Sequence, residues 1–155
     1  MTFDEFINFV SSEKCMLEHS VSIINTDGEQ LYVDSSEYYE YLAFITREIA
    51  LGINTIKIEQ FEKVFWPSDR TAHLFYNPKN GPSFDEHTDP VDVLIRCLDG
   101  CKTIEVDGVE HQLKPEEEIL IPAGTKHKAI NREKALMISY GINDTETYGS
   151  IRQDN

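Results

Sequence analysis

Pro122-Ala-Gly-Thr-Lys-His127-Lys-Ala-Ile-Asn131 decides how the second half of this sequence folds. Pro-x-Gly makes a tight turn after the apolar run Glu118-Ile-Leu-Ile, and a new strand is expected over 126–130, opening near His127. Working outward, short strand-like runs recur on both sides. Residues 102–106 and 109–113 flank Asp107-Gly108, a dipeptide that favours a tight hairpin turn. Upstream stand Ala72-His-Leu-Phe-Tyr76 and a loop over 77–82 rich in Pro, Asn and Gly. Strands are then expected over 83–89 and 91–98, ending on the turn Asp99-Gly100. Residues 135–140 complete the series. Evenly spaced short strands with Gly and Pro turns predict a mainly β sandwich or barrel.

Residues 1–67 read as a small N-terminal α+β lobe packed on that β core. Thr2 and Glu5 have capping-box spacing, and Phe3, Phe6, Ile7 and Val10 recur at helical intervals. Residues 21–25 and 30–33 flank Thr26-Asp27-Gly28 as a hairpin. Ser35 or Ser36 is expected to cap a helix over 37–51, with Tyr38, Leu42, Ile45 and Ile49 on one side and Gly52 stopping it. A strand over 53–65 follows, with Trp66-Pro67 at the junction. The expected division is a lobe at 1–67, a β core at 68–141 and a polar tail at 142–155.

The chain has 155 residues, 40% of them hydrophobic, enough for a real core. Its formal net charge of −14 repels phosphate backbones and argues against nucleic-acid binding through a basic patch. No apolar run approaches the roughly 20 residues of a membrane helix. Asp4 and Glu5 stand where a secretory leader carries bases, so none is expected. Cys15, Cys97 and Cys101 form no Cys-x-x-Cys pair, which fits a reducing cytoplasm.

The candidate chemistry lies among His19, His73, His87, His111 and His127. In Asp85-Glu-His87-Thr-Asp89, a strand would turn the imidazole of His87 and the carboxylate of Asp89 to one face. By itself, His-x-Asp is a pattern that exposed loops commonly carry. The string around His127 is more specific. It resembles the second signature motif of the cupin superfamily, in which the histidine points into a barrel and binds metal. The resemblance implies a double-stranded β-helix, the cupin or jelly-roll barrel. Cupins usually place His-x-His before a strand and a glutamate seven residues ahead of a turn glycine. With Gly100 as that glycine, the pair falls on His87 and Asp89 and the glutamate position on Val93. The implied metal set is His87, Asp89 and His127, a 2-His-1-carboxylate triad suited to Fe(II) with coordination positions left open.

Residues 73–102 also resemble the JmjC-type 2-oxoglutarate oxygenases, in the branch that hydroxylates amino-acid side chains in proteins. In that family a lysine 15 residues after the first histidine pairs with the far carboxylate of 2-oxoglutarate; here that residue is Lys102. His73 falls where relatives often have a polar co-substrate contact, commonly Asn, and Phe75 where they often have Tyr. Ser139 matches a serine that supports the co-substrate. The resemblance thus implies an Fe(II)- and 2-oxoglutarate-dependent dioxygenase. His87, Asp89 and His127 would be its catalytic metal ligands, and Lys102, His73 and Ser139 its co-substrate contacts. The expected reaction hydroxylates an amino-acid side chain in a protein, peptide or small amino-acid-like substrate, a basic one being favoured by the acidic surface. Two alternatives stand beside it: a metal cupin enzyme, dioxygenase or isomerase, that ignores 2-oxoglutarate, and a non-catalytic cupin that binds a small molecule. Cupin barrels often pair, so a homodimer fits either way.

Overall fold

The structure, a computed structural model, describes residues 1–59 and 72–142. Helix α1 (Phe3–Val10) starts at the expected capping box: Thr2 Oγ1 accepts from the Glu5 amide, and the Glu5 carboxylate accepts from the Thr2 amide. Helix α2 (Glu13–Glu18) was not foreseen; Ser12 caps it by accepting from the Cys15 amide. Helix α3 (Tyr38–Leu51) ends on Gly52, whose φ of +61° suits glycine. Its start differs from expectation. Glu37, not Ser35 or Ser36, is the cap, and its two carboxylate oxygens accept from the Tyr39 and Glu40 amides. One carboxylate thereby satisfies two orphan donors and places negative charge at the positive end of the helix.

Ten strands follow the helices or lie between them: β1 (Val21–Ile24), β2 (Gln30–Tyr32), β3 (Thr55–Ile58), β4 (Ala72–Asn77), β5 (Asp92–Gly100), β6 (Lys102–Val106), β7 (Val109–Leu113), β8 (Glu118–Ile121), β9 (His127–Ala129) and β10 (Ala135–Ile142). They form two antiparallel sheets. The larger has the order β2-β1-β3-β4-β10-β5-β8, and the smaller β7-β6-β9. The β1–β2 and β6–β7 hairpins are those read from the sequence.

Alternation along the large sheet separates structure from chemistry. Ala72, Leu74 and Tyr76 on β4, and Leu136, Ile138, Tyr140 and Ile142 on β10, join Ile56 and Ile58 of β3 in one core with Phe6, Val10, Tyr41 and Ile45 of the helices. The intervening residues His73, Phe75 and Asn77, Met137, Ser139 and Gly141, and Thr55 and Lys57 all line a cavity on the opposite face. This is the period-2 geometry of a strand buried on both sides. A second apolar cluster, Val93, Ile95, Cys97, Ile104, Leu113, Ile121 and Met137, fills the space between the two sheets beside that cavity.

The expected closed barrel is not found. Among the described residues the two sheets are not closed into a barrel: β8 and β2 end the larger, and β7 and β9 end the smaller. The strand expected over 83–89 is also absent. Its place is taken by a single antiparallel bridge, His87 with His127. Pro78, Pro82 and Pro90 lie in this connection, and none of them can donate to a ladder, so no longer pairing develops along it. On the other side, β1 and β3 pair onto β4 and extend the sheet outward. The chain passes from the large sheet to the small one at Gly100. There φ is +76°, and a Cβ would sit 2.1 Å from the Lys134 carbonyl oxygen. Among the described residues no helix is long and apolar enough to cross a membrane. The expected continuation of β3, the Trp66-Pro67 junction and all of the expected tail after Ile142 lie outside the described residues.

Candidate metal centre

The segment joining β4 to β5 leaves the large sheet, reaches the free edge of β9 and returns. At its far point His87 and His127 exchange both backbone hydrogen bonds, at 3.1 and 3.0 Å. Residues paired in this way present their side chains to the same side, and the two imidazole centroids lie 4.4 Å apart. The expected i, i+2 alternation of a long strand is therefore not what aligns the site; one rung and the loop after it do so. The turn between β8 and β9 fixes that loop, with the Gly124 amide donating to the Asp89 carbonyl at 2.9 Å and the Ala123 amide donating to Asp92 Oδ1 at 2.8 Å.

Asp89 Oδ2 lies 3.0 Å from His127 Nε2 and 3.7 Å from His87 Nε2. One ligand atom from each of the three residues falls within 4.8 Å of the others. Each ring is held from behind: His87 Nδ1 meets the Asp85 carbonyl at 2.9 Å, and His127 Nδ1 meets the Thr125 carbonyl at 3.0 Å. A carbonyl can only accept, so Nδ1 carries a proton, which leaves Nε2 as the nitrogen able to offer a lone pair to a metal. Two lone-pair nitrogens and an anionic oxygen then face one another, an arrangement that a cation between them relieves. The donor set, imidazole and carboxylate without thiolate, suits a borderline-to-hard divalent ion. The residues present thus fit a metal. His127 is buried, Asp89 half-buried and His87 exposed, which leaves one side approachable.

The triad opens into a cavity of about 290 Å³ that His73, Lys102 and Ser139 also line. All six residues singled out in the sequence thus border one space, together with Phe75. His19 and His111 are not among its walls. Lys102 is only 1% exposed and is held by Asn77 Oδ1 at 2.7 Å and Asn131 Oδ1 at 2.8 Å. Those amides are fixed in turn: Asn77 Nδ2 donates to Thr55 Oγ1, Thr55 donates to the Pro82 carbonyl, and Asn131 Nδ2 donates to the Gly81 carbonyl. Among the described residues no carboxylate is paired with this ammonium, and burial pulls its pKa down to about 7.

The sequence reading missed Asn77, Thr55 and Lys57 as site residues and quoted Asn131 only within a motif. Lys57 Nζ lies 3.5 Å from the Glu59 carboxylate and 5.7 and 5.6 Å from the rings of Phe75 and Phe84. An isolated lysine on a predicted strand carries no signal of such a setting.

Comparison with known proteins agrees in kind. Residues 73–140 match the cupin domain family. No curated protein matches the chain. Among solved structures, a cupin 2 conserved barrel domain protein from Leptotrichia buccalis is similar at a TM-score of 0.50 and 23% identity, over 57% of this chain and 41% of that one. A conserved protein of unknown function from Streptococcus pyogenes is similar at 0.49 and 19%, over 58% and 75%. An RmlC-like cupin from Shewanella frigidimarina is similar at 0.49 and 15%, over 61% and 80%. The likeness is one of fold and is not specific to the JmjC branch. The segment at 73–140 is thus similar to cupin domains, is open between its two sheets, and carries a His/His/Asp triad placed to bind a metal.

Proposed function

We propose that this domain is a divalent-metal enzyme acting on a small carboxylate-bearing molecule, without 2-oxoglutarate as an obligatory co-substrate. The observation that carries the reading is the sharing of one cavity by the triad and a buried lysine that, among the described residues, has two asparagines and no carboxylate for partners. A bound divalent ion would serve as a Lewis acid toward a carbonyl or carboxylate oxygen. Lys102 would hold a carboxylate of the ligand, with Asn77 and Asn131 fixing the direction of its remaining proton. The ion and the ammonium together outweigh the single negative charge of Asp89, so the cavity favours an anion although the chain as a whole is acidic. Phe75, Val93, Ile95 and Met137 supply apolar walls that exclude water.

The test is a Mn²⁺ titration followed by electron paramagnetic resonance, joined to a thermal-shift screen of mono- and dicarboxylates on the Mn²⁺-loaded protein. The expected result is stoichiometric Mn²⁺ binding that depends on Asp89, with carboxylate stabilisation that depends on Lys102. A wild-type protein that binds no Mn²⁺ under these conditions sinks the proposal.

Fe(II)- and 2-oxoglutarate-dependent hydroxylation is the second reading. The position of Lys102 in the same cavity as the triad favours it, because a dicarboxylate could meet both. Anaerobic addition of Fe(II) and 2-oxoglutarate should then give a visible charge-transfer band, and air should give succinate. Binding of carboxylates without turnover of any would point instead to a small-molecule-binding cupin.

A further inference from the structure

We propose that His73 is the acid–base residue of this cavity, exchanging a proton with the carbon next to the carbonyl group of a bound 2-oxo carboxylate. The inference rests on the reading of the cavity as a metal centre for a small carboxylate, and it assigns that centre a reaction class, proton transfer at carbon.

Three imidazoles border the cavity, and two are committed. His87 and His127 each have Nδ1 tied to a backbone carbonyl and Nε2 turned toward Asp89. His73 is different. It lies on β4 in the row with Phe75 and Asn77, and among the described residues its buried Nδ1 has no hydrogen-bond partner. No protein group among the described residues fixes that atom, so this ring on the cavity wall is not committed as the other two are.

The surroundings of His73 keep it ready to accept a proton. From β3 comes Lys57, with Glu59 just beyond it, and from β10 the paired residue is the uncharged Ser139. Burial and the Lys57 charge pull the ring's pKa below its ordinary value, and the Glu59 carboxylate opposes them more weakly. The ring is therefore neutral near pH 7. Lys102 is engaged by two asparagines, and the hydroxyls of Thr55, Ser83 and Ser139 are far too weakly basic to compete.

In the step itself, the C–H bond beside the carbonyl breaks. Its proton moves to an imidazole nitrogen of His73, the C–H pair forms a carbon–carbon double bond, and the carbonyl π pair moves onto the oxygen. Return of that proton to the same or a neighbouring carbon restores neutrality. No electrons are gained or lost, so no oxidant is required.

The experiment uses the full chain loaded with Mn²⁺ in D₂O and 2-oxoglutarate as probe. Deuterium at the carbon next to its ketone is read by mass spectrometry after a chelator quench. Wild type should catalyse exchange, and His73→Gln should lower the rate at least about 100-fold, the usual share of general acid–base catalysis. Mn²⁺ affinity should stay within about 2-fold, because the variant leaves the triad untouched. A second readout needs neither turnover nor metal: ¹⁵N chemical shifts of the imidazoles in the metal-free wild type should show His73 titrating below about 6.5. Normal Mn²⁺ binding without exchange in wild type, an unchanged rate in His73→Gln, or a His73 titration at or above the ordinary value each overturns the assignment. Failure of wild type to bind Mn²⁺ instead removes the reading beneath it, and the assignment falls with it.

Discussion

Replacing Lys102 by Met should change how stability depends on pH, and the structure sets the size of the change. The ammonium is 1% exposed, and burial lowers its pKa from 10.5 to about 7. Between those values the unfolded chain holds a proton on this lysine that the folded chain has released. Stability therefore rises with pH across that window and levels off below pH 7, where both states are charged. Each pH unit well inside the window is worth about 1.4 kcal/mol, and the slope is half that at pH 7, so this side chain adds about 2 kcal/mol between pH 7 and 9. Met is unbranched and fills similar space without a charge, so the variant loses that slope. It also leaves Asn77 Oδ1 and Asn131 Oδ1 without their donor, at a cost of about 1–3 kcal/mol each. The deficit of Lys102→Met relative to wild type should thus grow with pH across the window and be about 2 kcal/mol larger at pH 9 than at pH 7. Urea denaturation of both proteins at pH 6, 7, 8 and 9 measures it, since every other titrating group cancels in the difference. Parallel stability curves for the two proteins would refute the claim that this lysine is buried without a counter-charge.

Other outcomes follow from other parts of the molecule. Asp89→Ala removes the oxygen facing both Nε2 atoms and should weaken Mn²⁺ binding by more than the roughly 10–100-fold typical of residues that merely support a ligand, measured by paramagnetic resonance titration. Saturating wild type at about 100 times its Mn²⁺ dissociation constant should stabilise it by about 2.7 kcal/mol, a gain that excess chelator reverses in a thermal melt. Gly100→Ala meets both a φ of +76° and the Lys134 carbonyl, so it should destabilise by about 3 kcal/mol or more in urea. Glu37→Ala removes the acceptor for two amides at the start of α3 and should cost about 1 kcal/mol by the same assay.

What the sequence made legible was mostly local. The Thr2/Glu5 capping box and the Asp107-Gly108 hairpin depend on residues a few positions apart, and both stand in the structure. The residues that converge on one point, His87, Asp89 and His127, were legible through motif spacing. Less legible was what lies between distant segments. Asn77 and Asn131 reach Lys102 from 25 and 29 positions away, and no local pattern marks an asparagine as the partner of a buried amine. Ser35 and Ser36 looked like the better caps because hydroxyls usually are, yet Glu37 takes two amides at once. A strand through 83–89 was expected as one of the regular series of short strands, but prolines on either side leave only one bridge there. Barrel closure failed for a related reason: it needs a continuous ladder across the junction, a property of pairing partners rather than of any single run.

The single rung between His87 and His127 has a mechanical consequence. Two of the three converging side chains hang from the stitch that fastens the long connection of one sheet to the border of the other. A cation captured there would rivet that seam, tying cohesion and reactivity to the same few atoms.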